Sequence, residues 1–272
     1  MLDRTFHEIE LESWSQKASI YDRLFASVST QAIAPILSSL GSLRGSGHLD
    51  VACGTGHLVA EAAKKGAITE GVDFAVPMVD AARKNYPHLG FKVADAADLP
   101  YRDAYFDAVS CSFGLPHMAN PQSAVQEAFR VLKPGGRYAF TLWFSAEDGG
   151  EFHTLVKSAI QAHATENITL PETWTVMRFA SESVSDDLVR QAGFLPPMFQ
   201  RLNIAWHAAS AQQVLEFVEK LSLRTMALIN TQLEPVRARI YAQIIADAEK
   251  YRRGSFITLA WPALLTVAQK PE

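Results

Sequence analysis

The residues that could do chemistry in this chain gather at the ends of short apolar runs. The first run leads into Asp50-Val51-Ala52-Cys53-Gly54-Thr55-Gly56. A strand that passes through glycines into a helix lets backbone amides and the helix N-terminus approach a ligand closely. A dinucleotide site needs Gly-x-Gly-x-x-Gly or Ala, but counting from Gly54 the last position is Val59, and counting from Ala52 the first glycine is missing. Hydride transfer to a nicotinamide therefore loses its motif, and a Gly-x-Gly also serves as a plain tight turn. Asp73 ends the next apolar run, 23 positions after Asp50, where a carboxylate can accept both hydroxyls of a ribose. Asp95 follows a third run in Val93-Ala94-Asp95-Ala96-Ala97-Asp98-Leu99-Pro100-Tyr101; a short acid there can hold the exocyclic amino group of an adenine. Aspartate is also a common cap and turn residue, which explains any one of these acids alone. Three in chain order, each at the end of a run, point to a bound nucleoside. His117, in Phe113-Gly114-Leu115-Pro116-His117-Met118, offers a neutral imidazole near pH 7 that can take a proton from an enol, phenol or amine. Hydrogen bonding to a ligand or capping of the next helix are its alternatives.

Periodicity predicts the elements that position these groups. Short apolar runs at 48–52, 68–73, 91–94, 106–112 and 137–143 alternate with helical patterns at 58–65, 76–85 and 122–131, the signature of βα units and a parallel sheet. Ahead of them, apolar positions between Trp14 and Leu40 recur at three and four and predict two amphipathic helices split near 27–30, followed by a Gly- and Ser-rich loop over 41–47. Behind them, residues 145–180 carry scattered aromatics and predict a partly helical insertion. Ser183 and Asp186 have capping-box spacing, predicting a helix to Ala192 closed by Gly193. Residues 199–206 predict a sixth strand, 211–228 and 233–251 two long helices, and 263–268 a seventh strand with Pro262 at its start.

Composition narrows the function classes. The 272 residues hold 25 basic and 29 acidic side chains, for a net charge of −4, with 48% hydrophobic residues. The isoelectric point is about 6.1 and the mean hydropathy +0.01. This is a chain with enough apolar surface for a core and without the electrostatic footprint of a nucleic-acid binder. The longest uncharged apolar stretch, 256–268, is broken by Pro262 and too short for a membrane span. The N-terminus has no apolar segment beside a basic end, so the expected compartment is the cytoplasm. Cys53 and Cys111 are expected there as thiols. His153, His163 and His207 lack metal-ligand spacing, and no metal is indicated.

Taken as an ordered set, Asp50 to Gly56, Gly71-Val72-Asp73, Asp95-Ala96, Phe106-Asp107-Ala108-Val109 and Arg130-Val131-Leu132-Lys133-Pro134-Gly135-Gly136 resemble the motifs of class I S-adenosylmethionine-dependent methyltransferases. The sequence is most similar to the branch holding the ubiquinone and menaquinone biosynthesis C-methyltransferases and many small-molecule enzymes. The resemblance covers residues 48–143 in detail. It implies an α/β fold with a Rossmann-like, seven-stranded, mostly parallel sheet, an antiparallel last strand, helices on both faces and a helical cap. Residues 1–45 would form the cap and 46–272 the methyltransferase domain, with 145–180 and 208–252 as substrate-covering insertions.

The implied cofactor is S-adenosylmethionine, with S-adenosylhomocysteine as product. Ala52, Gly54 and Gly56 would lie under its methionine part, and Asp50 joins the cofactor-binding set. Asp73 would hold the ribose, Phe74 and Met78 the adenine, Asp95 with Ala96 its amino group, and Ser112 the methionyl amine. Ala52 stands where many members have glycine, which should narrow the loop without blocking it. Tyr21, in Trp14-Ser15-Gln16-Lys17-Ala18-Ser19-Ile20-Tyr21-Asp22, resembles part of an N-terminal helix that closes over the cofactor. Its ring suits a sulfonium, although a Tyr on an apolar helix face is as readily a packing residue. His117 would stand on the acceptor side. The implied activity is methyl transfer to an O, N or C nucleophile of a small apolar or aromatic metabolite. The alternative is a cofactor-binding cyclase or pericyclase that does not methylate. Trp143, Phe144, Phe152, Trp174, Phe179, Trp206, Phe217 and Trp261 are candidates to wall the acceptor pocket, most of them as ordinary core. The expected partner is the small-molecule acceptor, and a homodimer is compatible with the chain.

Overall fold

The computed structural model describes residues 5–165, 181–221 and 223–272. They fall into two compact units, one comprising the described residues up to 142, 181–202 and from 263 onward, the other those of 143–165 and 203–262.

The first unit opens with α1 (Phe6–Leu24), which begins where Thr5 and Glu8 form a reciprocal capping box. Then come α2 (Ala26–Ser29), a 3-10 turn (Thr30–Ala32) and α3 (Ile33–Ser39). The alternating elements are β1 (Gly47–Val51), α4 (His57–Lys64), β2 (Ile68–Asp73), α5 (Val76–Asn85), β3 (Gly90–Val93), β4 (Phe106–Ser112), α6 (Pro121–Val131) and β5 (Leu132–Trp143). In chain order there follow α7 (Glu151–His163), α8 (Glu182–Ala192), β6 (Met198–Leu202), β7 (Ala205–Ala208), α9 (Ala211–Leu221), α10 (Leu223–Asn230), α11 (Glu234–Glu249), β8 (Arg252–Arg253), β9 (Phe256–Ala260) and β10 (Ala263–Gln269).

Seven strands form one sheet in the order β3-β2-β1-β4-β5-β10-β6. The pairs from β3 to β5 are parallel, while β10 runs antiparallel to β6. β1 lies inside the sheet between β2 and β4, with Leu49 and Val51 buried; fully burying such a side chain stabilises by about 1.5–3 kcal/mol. Val109, Phe140, Val125 and Leu188 extend the same core onto α6 and α8, and a smaller cluster of Val59, Val79, Ala82 and Phe91 packs α4 and α5 to the sheet.

One polar row crosses this apolar interior. His48 is fully buried, with Nδ1 2.9 Å from Thr69 Oγ1 and Nε2 3.0 Å from Ser110 Oγ. Ser110 in turn donates to Asp50 Oδ1 at 2.6 Å. With the Ser110 proton committed to Asp50, His48 must donate from Nε2 and accept from Thr69. Burial pushes the His48 imidazole down to about 3, so it stays neutral.

The Lys133-Pro134-Gly135-Gly136 segment is a bulge inside β5, because β4 pairs with Leu132 and then resumes at Arg137. Lys133 Nζ reaches Asp107 Oδ1 at 2.8 Å, and Asp107 Oδ2 accepts from Gly47 N at 2.8 Å. That motif acid is thus a clip between strands. The α8 helix starts two residues earlier than its sequence signal: Ser181, not Ser183, is the N-cap, accepting from Val184 N, while Gly193 closes the helix at φ 103° as expected.

The predicted strand 199–206 is two strands. β6 pairs with β10 in the large sheet, and β7 pairs antiparallel with β9 in a three-stranded sheet, β7-β9-β8, of the second unit. Within that unit Phe152, Trp206, Phe217 and Trp261 are buried against one another, with Phe152 and Trp261 stacked at 4.2 Å and Trp143 5.0 Å from Trp261. Trp261 Nε1 donates to His153 Nε2 at 3.0 Å, and burial pushes that imidazole down to about 4. Trp174 and Phe179 lie outside the described residues.

Candidate functional site

The loop after β1 is built on left-handed backbone: φ is 57° at Ala52, 53° at Gly54 and 90° at Gly56. Alanine adopts that region at a cost of about 1–2 kcal/mol, and strain of this kind clusters where a loop has a task beyond turning. At Gly54 a Cβ would meet no atom within 4 Å, so the backbone there borders open space. Gly54 N donates to Asp73 Oδ2 at 2.9 Å, and Ala75 N donates to Asp73 Oδ1 at 3.0 Å. Asp73 therefore ties the end of β2 to the loop, with lone pairs remaining for a ligand. Burial pushes its carboxyl up to about 6. Burial pushes Asp50 up to about 7, opposed by the Ser110 hydrogen bond and reinforced by the charge of Asp73. Two buried acids, the charge of one raising the carboxyl of the other, suit a positively charged ligand.

Helix α1 lies over this loop. Asp22 Oδ1 accepts from Thr55 Oγ1 at 2.6 Å and from His57 Nε2 at 2.9 Å, and Asp22 Oδ2 accepts from Asn85 Nδ2 at 3.0 Å. Burial alone would raise its carboxyl, but these donors hold it below the usual range. One residue earlier, Tyr21 OH is 3.1 Å from Ser29 Oγ, and burial pushes the phenol up to about 12, so it stays protonated. Between helix and loop lies a cavity of about 40 Å³ lined by Tyr21, Ser29, Thr30, Ile33, Asp50, Ala52, Cys53, Gly54, Thr55, His57, Leu58 and Ser112. Sites for drug-sized ligands measure roughly 300–1,000 Å³. The cavity as it stands is smaller than a nucleoside, and of its lining α1 contributes Tyr21.

Of the residues singled out in the sequence, the cavity brings together Tyr21, Asp50, Ala52, Gly54 and Ser112. Gly56 serves packing, since a Cβ there would stand 2.8 Å from Phe91 Cζ. Asp73 sits behind the loop, Met78 is buried on α5, and the Phe74 ring meets His7 of α1 at 5.6 Å. Asp95 is exposed and accepts from Ala97 N at 2.9 Å, with Ala96 buried beside it. Arg130 holds the following segment by donating to the carbonyls of Leu99 and Tyr101 and to Glu127 and Asp103. His117 lies off the cavity lining, in a 3-10 turn after β4, with Nδ1 3.0 Å from Glu10 Oε2. Sequence reasoning missed Ser29, Thr30, Ile33, Thr55, His57 and Leu58. Thr55 and His57 flank a glycine already singled out, so that neighbourhood was the available signal. Cys53 and Cys111 are free, and burial pushes Cys111 up to about 12. Among the described residues no cluster of three His, Cys, Asp or Glu side chains could hold a metal. No described helix is long and apolar enough to cross a membrane.

A profile described as a methyltransferase domain matches residues 49–140. The chain is 30% identical over 196 residues to the demethylmenaquinone methyltransferase of Renibacterium salmoninarum, an alignment covering 66% of this chain and 81% of that one. The chain belongs to the class I S-adenosylmethionine-dependent methyltransferases. It falls in their ubiquinone and menaquinone-like branch. The demethylmenaquinone methyltransferase of Clavibacter sepedonicus is 40% identical over 119 residues, but the match spans 43% of this chain and 46% of that relative, less than half its length. Among solved structures, the YcgJ protein of Bacillus subtilis superposes with a TM-score of 0.58 at 18% identity, covering 89% of this chain and 99% of that one. Haemonchus contortus phosphoethanolamine N-methyltransferase 2, in complex with S-adenosyl-L-methionine, gives 0.58 at 16% identity, covering 99% of this chain and 60% of that one. These likenesses show the Rossmann-like methyltransferase fold.

The cofactor of the family, S-adenosylmethionine, fits the groups present. The lining holds a carboxylate, hydroxyls and an aromatic ring, and no Lys or Arg. That donor set suits an ammonium and a sulfonium, and the lining imidazole, His57, is already paired with Asp22. The open space beside Gly54 gives the ligand backbone to lie against.

Proposed function

We propose that this methyltransferase moves a methyl group to an oxygen, nitrogen or carbon nucleophile of a small apolar or aromatic metabolite. The observation that carries the reading is the strained loop at the end of β1, whose open side meets Asp50, Ser112 and Tyr21 in one cavity. When bound, S-adenosylmethionine supplies a methyl group already activated on a sulfonium, so the chain's task is placement and exclusion of water.

In this reading Asp50, Ala52, Gly54, Gly56 and Ser112 take the methionine part, with Asp50 and Ser112 toward the ammonium. Asp73 takes the ribose, Phe74 and Met78 the adenine, and Asp95 with Ala96 its amino group. Tyr21 covers the sulfonium with its ring. His117 accepts the acceptor's proton as the new bond forms. Discrimination among acceptors is assigned to residues 145–180 and 208–252. The relatives are named for demethylmenaquinone, so a quinol is the first acceptor to test.

The experiment is a screen of quinols, phenols, amines and polyketide-like acids with methyl-labelled S-adenosylmethionine. Label appearing in an acceptor supports the reading. Conversion of an acceptor without label transfer overturns it in favour of a non-methylating cyclase.

A further inference from the structure

Glu10 is 2% exposed, on the buried face of α1, far in sequence from the site it joins. A carboxylate buried this completely needs donors, and Trp14 and His117 are among them. Trp14 Nε1 donates to Glu10 Oε2 at 3.1 Å, and His117 Nδ1 is 3.0 Å from the same oxygen. The Trp14 ring stands edge-on to the imidazole at 4.8 Å, and Lys17 Nζ lies 4.9 Å from the centre of the Trp14 ring. The His117 side chain keeps 28% of its surface accessible while that of Glu10 keeps 3%.

From this arrangement we infer that Glu10 is the positioning residue for His117, so that the N-terminal helix supplies half of a carboxylate–imidazole pair. The inference rests on the reading above in which His117 takes the acceptor's proton. An indole N–H can only donate, so Oε2 acts as an acceptor; beside an ionised Glu10 the His117 Nδ1 must then carry the hydrogen. That fixes the tautomer and leaves the lone pair on Nε2, the nitrogen able to receive a proton. In the transfer step the acceptor's O–H or N–H proton moves to Nε2. The electron pair so freed, on the heteroatom or delivered through a carbon conjugated with it, forms the bond to the methyl carbon, and the methyl–sulfur bond breaks with its pair left on sulfur. The imidazolium so formed stays paired with the Glu10 carboxylate, as a buried acid does for a catalytic histidine elsewhere.

The same helix carries Tyr21, which lines the cofactor cavity. Seating α1 therefore closes the cavity and sets the tautomer of the base together, and proton abstraction is disfavoured while the helix is displaced.

The test uses the full chain with histidine labelled in the ring nitrogens. In the cofactor-free protein the neutral His117 ring should show the Nδ1–H tautomer, and Glu10→Ala should lose it. With a competent acceptor, Glu10→Ala should lower kcat by about 10- to 100-fold with a smaller change in KM for the acceptor. His117→Ala and the double variant should be equally slow, since removal of one partner makes the other redundant. Glu10→Gln, which keeps the shape of the side chain and guards against a folding defect, should also be slow. An active His117→Ala enzyme would overturn the base assignment and this inference with it. An inactive His117→Ala beside a Glu10→Ala protein that retains the tautomer and normal turnover overturns the inference alone.

Discussion

Replacing Asp22 with Ala should loosen the N-terminal helix from the cofactor loop. The carboxylate accepts hydrogen bonds from Thr55, His57 and Asn85, and its side chain is 45% exposed. Solvent screening reduces each such bond to about 0.5–1 kcal/mol, so the three together hold α1 down by about 1.5–3 kcal/mol. Lost, they raise the population of the open state by about 10- to 100-fold. A trypsin site reports on it, because Lys17 lies within α1 and is 7% exposed when the helix is seated. If reclosing is fast relative to cleavage, the native-state cutting rate follows the open population and should rise by the same factor. Cleavage of the variant within about twofold of wild type would falsify the assignment of Asp22 as the latch.

Asp73→Ala should weaken S-adenosylmethionine binding by at least about tenfold, because the ribose loses its acceptor and Gly54 its anchor; unchanged affinity by calorimetry would sink the ribose assignment. Cofactor binding near pH 6 should release protons. Asp50 and Asp73 keep theirs in the folded chain up to about 7 and about 6, and a cationic ligand favours their ionised forms. Titration in buffers of different ionisation enthalpy reads the release directly, and none at all would contradict the placement of Asp50. Without cofactor, those raised carboxyls contribute stability that is full below about pH 4 and fades as pH rises through about 6 and about 7. A cofactor-free protein whose melting temperature climbs over that interval would argue against both burials. Gly56→Ala places a Cβ 2.8 Å from Phe91 Cζ at φ 90°. It should destabilise by about 2–5 kcal/mol, lowering the melting temperature by roughly 5–15 °C; an unaltered melt would show that the loop yields there.

Local signals made the βα core readable. The strands from β1 to β4 fall within a residue or two of their apolar runs, and the glycine loop and Asp73 announce themselves by position after a strand. The failures are failures of partnership. Residues 199–206 look like one strand because β6 and β7 have the same character; only their partners, β10 and β9, separate them. Glu10 reads as one more acid in a charged helix until the fold brings His117 to it from 107 positions away. Ser29, Thr30 and Ile33 reach the cavity because a 3-10 turn joins two helices there, and no periodicity marks which side such a turn presents. Arg130 and Asp107, by contrast, were legible as motif residues, yet they fasten a loop and a bulge.

The row formed by Thr69, His48, Ser110 and Asp50 has a consequence for how this sequence can drift. A single apolar replacement at His48 would take the imidazole partner from Thr69 while Ser110 keeps its bond to Asp50, and an orphaned hydroxyl in a dry interior costs about 1–3 kcal/mol. Replacing Thr69 and His48 together by side chains of matching volume removes the need for the bond between them and costs far less, provided Ser110 stays to donate to Asp50. Asp50 must still answer to the cofactor and needs Ser110 as its donor, so only Thr69 and His48 are released. The path between the two solutions runs through unstable single variants, which makes the strand interiors a site of strong epistasis. Grafting this loop onto a relative would accordingly demand the residues beneath it as well as those facing the ligand.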